Sequence, residues 1–542
     1  MAVTRRRFLQ HAAPAVVLPL LPGCENGPEP PVQGDSPFLH GVASGDPLAD
    51  RVILWTRVTA ADSEQLVRVE WQVALDPELR RVVSEGTVLT GPAEDFTVKV
   101  DAEGLKPGRK YYYRFAALGH ISALGCTCTL ALGHVERLRL AVVSCSNYAF
   151  GFFNAYAQIA ARGDVDLVLH LGDYLYEYEN GGFGDGTALG RIPAPDREIL
   201  TLEDYRERHA QYKTDPDLQE LHRLHPWLVV WDDHESANDA YRDGAENHQP
   251  ATEGDWQLRK AGALQAYHEW MPIRSPSPDS QARIYRSFAC GDLADLILLD
   301  TRLIGRDQQV ADACDLAALS DPARSLLGAE QEEWFLGELE RSQAKGTRWR
   351  LVGQQVMMGQ LLNVLAGSPC PFNVDQWDGY GASRARVFEA LSTLGIDNVV
   401  VLTGDIHSSW ALDLTPSPFD PATYDASTGR GSLAVEFITP AVTSPGIDDP
   451  AQAAQAQAAL LATHPHLEYT ELNRRGYLLL DVNHERVAAE WYHVRRLDER
   501  NGVGELAHQA QVRAGDNHLS RPGATPGEAL PAAAQPSVAV SG

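Results

Sequence analysis

At 542 residues the chain is too long for one ordinary domain and long enough to bury a large core. Its composition, 44% hydrophobic and 22% charged, is that of a globular protein, and no apolar run after the first residues is long enough to span a bilayer. Seventy-three acidic residues against 46 basic ones leave a net charge of -27. That argues against nucleic acid or an anionic membrane as a standing partner and admits an anionic substrate only where local cations overcome the global field.

The first residues read as an address. Thr4-Arg5-Arg6-Arg7-Phe8-Leu9-Gln10 resembles the twin-arginine export consensus, and an Ala/Val/Leu/Pro stretch follows through Leu21. This predicts passage through the Tat export machinery to a periplasmic, cell-surface or secreted location, a route that carries proteins folded and often metal-loaded. Leu21-Pro22-Gly23-Cys24 resembles a lipobox, so Cys24 is a candidate lipid-modified terminus; ordinary cleavage nearby is the alternative, because proline is atypical there. Residues 1–36 are thus read as signal peptide and Pro/Gly/acidic linker. Of the seven cysteines, Cys314 and Cys370 lie in loop-like sequence and are the pair chosen for a disulfide, as an oxidising compartment permits. Cys126 and Cys128, two apart on a strand, are poorly placed to pair with each other.

Residues 37–134 show short β segments with period-2 alternation and turn punctuation, among them RVILWTRV, VRVEWQVAL and KYYYRFAAL. They predict a small all-β, fibronectin-III-like antiparallel sandwich that positions rather than catalyses. From Leu138 the rhythm becomes strand–helix alternation, with helices near Phe152–Arg162, Trp256–Trp270, Ala329–Gln343 and Ser383–Leu394. Residues 135–500 therefore read as an α/β layered domain. GYLLLDVN and RVAAEWYHV are expected to close a sheet edge as a hairpin, and residues 501–542, Ala/Pro/Gly/Gln-rich, are expected to be a disordered tail.

Four apolar runs in the α/β part end on metal-seeking side chains: LAVVSCSN, LVLHLGDYLYE, WLVVWDDHE and NVVVLTGDIHSS. Such runs read as buried parallel strands, and α/β sheets place their chemistry at the carboxyl ends of those strands. Asp173, behind Gly172, can offer one oxygen to each of two cations. Tyr176 lies three residues on, and a phenolate suits ferric iron better than zinc or magnesium. The Cys145 thiolate favours a soft or borderline transition metal. Asp233 and Asp405 bring hard carboxylate oxygens, which suit a hard cation, while Asp405 and His407, two apart, share a face if strand geometry continues.

Taken singly, each residue has an ordinary structural explanation: a helix cap, a core thiol, a packed ring, a surface imidazole. Agreement among the four strand ends turns the reading toward a cluster of unlike metal ions. Asn147, Glu235, Asn238 and Asp239 are near enough in sequence to be ligands or their supports. Asp300-Thr301-Arg302 also ends a strand, and a structural Asp–Arg pair explains it equally well. His234, next to Asp233, is placed to protonate or orient a leaving oxygen.

SCSN, GDYLYE, WDDHES and GDIHSS, with LTLEDYRERHAQYKTD and DQWDGY, resemble the motif set of the PhoD-type alkaline phosphatase/phosphodiesterase family within the calcineurin-like metallophosphatases. The resemblance covers roughly residues 36–495. It implies a layered metallophosphatase-type β-sandwich flanked by helices, and hydrolysis of small-molecule phosphate esters by a metal-activated water. It further implies Fe3+ held by Cys145, Asp173, Tyr176 and His407, with Asp173 bridging, and Ca2+ faced by Asp173, Asp233 and Asp405. An arginine on the insert after the second motif, Arg191 with Arg197 in reserve, is expected to bind phosphate. The alternatives are a phospholipase D-like phosphodiesterase acting on phospholipids and a non-catalytic cell-surface binding protein. The insert Gly181–Thr201 and the segment Leu361–Phe372 are expected to shape the pocket mouth.

Overall fold

Val/Leu/Ile-rich runs bounded by Gly and Asp build the centre of the molecule. A computed structural model describes residues 36–60, 64–275, 283–363 and 370–520. The export-signal stretch, Cys24 and part of the Leu361–Phe372 segment lie outside the described residues. Strands Arg137–Val143, Leu167–His170 and Pro226–Val229 lie side by side and parallel. They form the middle of a ten-stranded sheet. Their continuous apolar character matches a position covered on both faces.

A seven-stranded sheet supplies the second half of the core. Its strands Ala294–Leu298, Trp349–Gln354, Val399–Thr403 and Ala434–Ile438 run parallel to one another. Alternation divides their side chains. Val400 and Leu402 join the core shared with the ten-stranded sheet. Val399 and Val401 face the other way, into a core with Phe335 and Leu339 of helix Ala329–Lys345 and Val387 and Phe388 of helix Gly381–Thr393. The protein is therefore mixed α/β with several sheets, and two of them meet across one common core.

The amino-terminal strands differ from a free-standing sandwich. Val67–Ala74, Val82–Thr90, Lys110–Ala117, His120–Ile121 and Gly125–Cys128 make a five-stranded sheet. Val42–Gly45, however, pairs in parallel with Pro226–Val229, and Arg51–Arg57 and Thr97–Glu103 follow it outward, so three strands of the expected module extend the central sheet. Fully buried on both sides, Val42–Gly45 has backbone groups that only a neighbouring strand can satisfy. The separate cluster of Val52, Leu54, Val69, Val73, Tyr113 and Phe115 still gives this region its own core.

The carboxyl-terminal expectation needs correction. Gly476–Asn483 and Arg486–Val494 do form a hairpin, but it is internal: the first strand pairs with Arg137–Val143 and the second with Gly504–Arg513. Residues placed in a disordered tail thus form the edge of the sheet, Gly504–Arg513 with the short strand Leu519–Ser520 paired antiparallel to part of it. Ala510, Val512 and Leu519 are buried, a packing role that the Ala/Gln-rich composition concealed. Residues from 521 onward lie outside the described residues. Cys314 and Cys370 are joined in a disulfide, the pairing chosen from the sequence. No helix among the described residues is long and apolar enough to cross a membrane.

Truncation after Asn501 should uncover the edge of Arg486–Val494 and remove the buried Val512 and Leu519. Burial of two such side chains corresponds to about 3–6 kcal/mol. The truncated chain is expected to unfold at a clearly lower denaturant midpoint; an unchanged midpoint would show that the edge strand contributes nothing.

Candidate metal centre

Two glycines let the sheets converge. Gly172 has φ of 103°, and a Cβ there would lie 2.6 Å from the backbone nitrogen of Asp232. A Cβ on Gly404 would lie 2.9 Å from that of Ser144. Each is followed by a site aspartate, Asp173 or Asp405, so the small residue and the donor act as a unit. The two sheets are stitched at this point: Val442 N donates to Ser144 O at 3.0 Å and Thr443 N to Cys145 O at 3.2 Å. Left-handed φ angles of 60°, 54°, 61° and 54° at Cys145, Asp173, Asp405 and His407 mark four strained backbone positions at one place.

Asp405 and His407 therefore converge by left-handed turns and not by strand pleat, since their strand ends at Thr403. They reach adjoining parts of the cluster. Donor atoms of Cys145, Asp173 and His407 lie within 4.8 Å of one another; so do those of Asp173, Asp233 and His234, and those of Asp232, Asp233 and Asp405. Asp173 and Asp233 each belong to two groups, which makes the three groups one continuous constellation. Tyr176 joins it: its hydroxyl donates to Asp173 Oδ2 at 3.1 Å, stands 3.2 Å from His407 Nε2 and accepts from Ser444. His407 Nδ1 donates to Pro445 O at 2.6 Å, which leaves Nε2 free to act as a ligand.

Two carboxylate oxygens here, Asp173 Oδ1 and Asp232 Oδ2, are buried without a hydrogen-bond partner. Unpaired buried oxygens are costly, and a cation satisfies them. The electrostatics agree. Burial, reinforced by Asp173, holds the Cys145 thiol and the Tyr176 phenol well above their ordinary pKa values. Burial also pushes Asp405 up to about 6 and Asp239 to about 7. Burial works to raise Asp233 as well, but Arg302 and His234 hold it down at about 2. Soft sulfur, phenol oxygen and imidazole on one side, with carboxylates on the other, fit two kinds of metal ion.

His234 is set by a residue that sequence reasoning passed over. Its Nδ1 lies 2.7 Å from Glu177 Oε2, and Glu177 also accepts from Asn238 N and Asn247 Nδ2. Burial disfavours the charged imidazole, but Glu177, Asp173 and Asp233 override it and raise the pKa of His234 well above its usual value. Glu235 is a splint rather than a ligand: its carboxylate accepts backbone N–H bonds from Asp173, Tyr174 and Asp232, tying the second and third strand ends together. Asn147 is likewise engaged, accepting from Ala149 N and donating to Phe183 O.

The expected phosphate arginine needs correction. Arg191 is buried, donates to Asp215 Oδ2 at 2.8 Å and to Tyr148 O at 2.9 Å, and stacks on Tyr148, Phe152 and Phe153. It serves as an internal ion pair. Arg197 pairs with Asp204 at the surface. The guanidinium in the cluster is instead Arg302, which is fully buried and donates to Asp232, to Asp375 at 2.7 Å and to Asp405 at 2.6 Å. Asp375 and Gln376, from the DQWDGY block, brace Arg302 and Asp405 in turn. The signal for Arg302 was its place at the end of DLILLDTR, where a local pair with Asp300 explained it equally well.

The PhoD-like phosphatase family matches residues 140–491, and its N-terminal domain matches residues 25–131. The chain belongs to the PhoD-like phosphatase family. It is 38% identical over 469 residues to alkaline phosphatase D of Bacillus subtilis (strain 168), covering 84% of this chain and 77% of that one. A solved structure of PhoD superposes with a TM-score of 0.81 at 35% identity, over 91% of this chain and 93% of the other. This PhoD-like phosphatase is accordingly a phosphoric ester hydrolase.

Arg302→Gln should leave the carboxylates around it without their buried cation. Removing one partner of such a pair costs about 3–5 kcal/mol. The variant is expected to lose that much stability on denaturant unfolding in chelator, and to regain part of it when divalent cations are added; full stability in chelator would refute this role.

Proposed function

We propose that this PhoD-like phosphatase is an exported, metal-dependent enzyme that releases phosphate from mono- and diesters by attack of water at phosphorus. The observation that carries this reading is the continuous donor chain through Asp173, with one oxygen engaged by Tyr176 and the other buried and unpartnered. Cys145, Asp173, Tyr176 and His407 would hold Fe3+, and Asp173, Asp233 and Asp405 would face Ca2+. Such ions, when bound, neutralise charge on phosphate oxygens and acidify water. The chain's own residues do the rest. Pro445 O fixes the tautomer of His407, Glu235 fixes the loop carrying Asp173, and Arg302 holds Asp233 and Asp405 apart from each other's charge. Glu177 keeps His234 oriented and favours its protonated form, so His234 can pass a proton to the leaving oxygen.

Two sheets sharing a core, with helices on an outer face, support the layered sandwich of the calcineurin-like metallophosphatases, and the separate Tyr113/Phe115 core supports a fibronectin-III-like front part. Export rests on the twin-arginine-like stretch Thr4–Gln10, and small phosphate esters are the substrates this reading favours. A phospholipase D-like activity has one observation in its favour. Phe183, half-buried on the Gly181–Thr201 insert, packs 5.7 Å from Tyr176, 5.8 Å from His234 and 5.9 Å from His407, an apolar rim beside the cluster. Hydrolysis of phosphatidylcholine vesicles faster than of p-nitrophenyl phosphate and its bis ester would favour the lipid reading. Failure of the metal-loaded protein to cleave all three at alkaline pH would overturn the proposal.

Purified protein is expected to contain iron and calcium and to be coloured by phenolate-to-iron charge transfer, with Tyr176→Phe shifting or abolishing the band. A colourless, iron-free and fully active enzyme would remove Tyr176 from the ligand set. Asp173→Ala is expected to lose metal and activity together. His234→Ala should retain metal by elemental analysis while turnover falls by about 100-fold or more; loss of iron would make His234 a ligand instead of an acid.

A further inference from the structure

At the opposite end of the sheets from the catalytic cluster, three segments bring two imidazoles and a carboxylate to one point. His134 precedes strand Arg137–Val143, Asp292 precedes strand Ala294–Leu298, and His484 sits in the turn between Gly476–Asn483 and Arg486–Val494. Seven residues of strand separate His134 from the Cys145 end, about 20 Å or more. One donor atom from each of His134, Asp292 and His484 lies within 4.8 Å of the others. His134 Nδ1 is 2.9 Å from Asp292 Oδ2, and His484 Nε2 is 3.5 Å from Asp292 Oδ1.

The geometry points to a second metal site here, a peripheral His134–Asp292–His484 centre for a zinc-like divalent ion that is independent of the catalytic metals. Tetrahedral zinc with bonds near 2.0–2.1 Å sets its donors about 3.3 Å apart. The two imidazoles lie near that distance from the two oxygens of one carboxylate, and one donor atom from each residue lies within 4.8 Å of the others, so a small side-chain rotation brings three donors to that spacing. Two histidines, one aspartate and an open position for water are an ordinary zinc donor set. The remaining nitrogen of His134 lies 3.1 Å from Glu136 Oε1, the carboxylate support that orients a ligating histidine. The His134 and His484 rings stack with centroids 4.9 Å apart, so the ion draws both in by rotation of the side chains. His484 Nε2 then exchanges its bond to Val135 O for the metal.

The backbone beneath these side chains is already held in place. Asp292 N donates to Gly133 O at 2.8 Å, Val135 N to Asp292 Oδ1 at 3.0 Å, and Arg348 N to Asp292 O at 2.9 Å. On the third segment, Trp349 Nε1 donates to Asn483 O at 2.6 Å. Side-chain exposures of 58%, 46% and 27% for His134, Asp292 and His484 leave the point open to an ion from solvent. The net charge of -27 favours cation approach. An ion there ties the segment leaving the amino-terminal β region to both large sheets.

Titration of the native holoenzyme with Zn2+ alone, by calorimetry and by metal analysis after gel filtration, tests the site. The native chain is expected to take up one zinc more than H134A/H484A, with equal p-nitrophenyl phosphate hydrolysis by both. Zinc should raise the native unfolding midpoint by roughly 2 °C or more and leave that of the double variant unmoved. H134Q and H484Q, which keep a polar side chain of similar reach, should each weaken zinc binding by at least about tenfold, which keeps the test valid should the double variant fold poorly. Equal zinc uptake by native and variant chains, at whatever stoichiometry, would overturn the site and leave Asp292 as a hydrogen-bond acceptor between two imidazoles.

Discussion

Buried negative charge around Asp173 is the constraint to which the rest of the molecule answers. Asp173, Asp232, Asp233, Asp375 and Glu235 are brought together in the interior with the partly buried Asp405, and Arg302 contacts four of these carboxylates. In a dry interior such crowding drives carboxylates toward protonation, as it does at Asp232. Polyvalent cations reverse that tendency, since they reward the ionised form. A hydrocarbon-like core would never tolerate this arrangement, whereas a site built to hold cations would.

Holding like charges together needs a stiff frame, and the two sheets provide it. Parallel strands of the ten-stranded sheet and of the seven-stranded sheet end at one seam, closed by hydrogen bonds from Val442 and Thr443 to the backbone of Ser144 and Cys145. Gly172 and Gly404 permit the approach, and left-handed turns at Cys145, Asp173, Asp405 and His407 aim the donors inward. Strained backbone of this kind persists only where the surroundings over-determine it. Glu235 and Arg302 are those surroundings in concrete form: one pins backbone N–H groups, the other spaces carboxylates.

Much of the site was legible because strand ends announce themselves. An apolar run followed by Cys145, by Gly172-Asp173 or by Gly404-Asp405 carries both its secondary structure and its chemistry in a few consecutive residues. Glu177 and Arg302 were not legible in the same way, since their partners lie far off in sequence: His234 for one, Asp232 and Asp405 for the other. Arg191 was misleading for the complementary reason. An arginine beside a motif in sequence can as readily be consumed by an internal ion pair, here with Asp215. The edge strand Gly504–Arg513 was hidden by composition, because alanine and glutamine carry little β signal until a neighbouring strand covers them.

By itself the amino-acid sequence determined the strand ends, the donor types and the mixed α/β class, because periodicity and side-chain chemistry are local properties. Which donors lie close enough to share an ion, which arginine stands among them, and whether the front β region is a module or an extension of the central sheet were decided only in three dimensions. Each depends on contacts between residues tens to hundreds of positions apart, and no short-range pattern encodes those contacts. The parallel pairing of Val42–Gly45 with Pro226–Val229, and the meeting of Arg302 with Asp232 and Asp405, are such contacts.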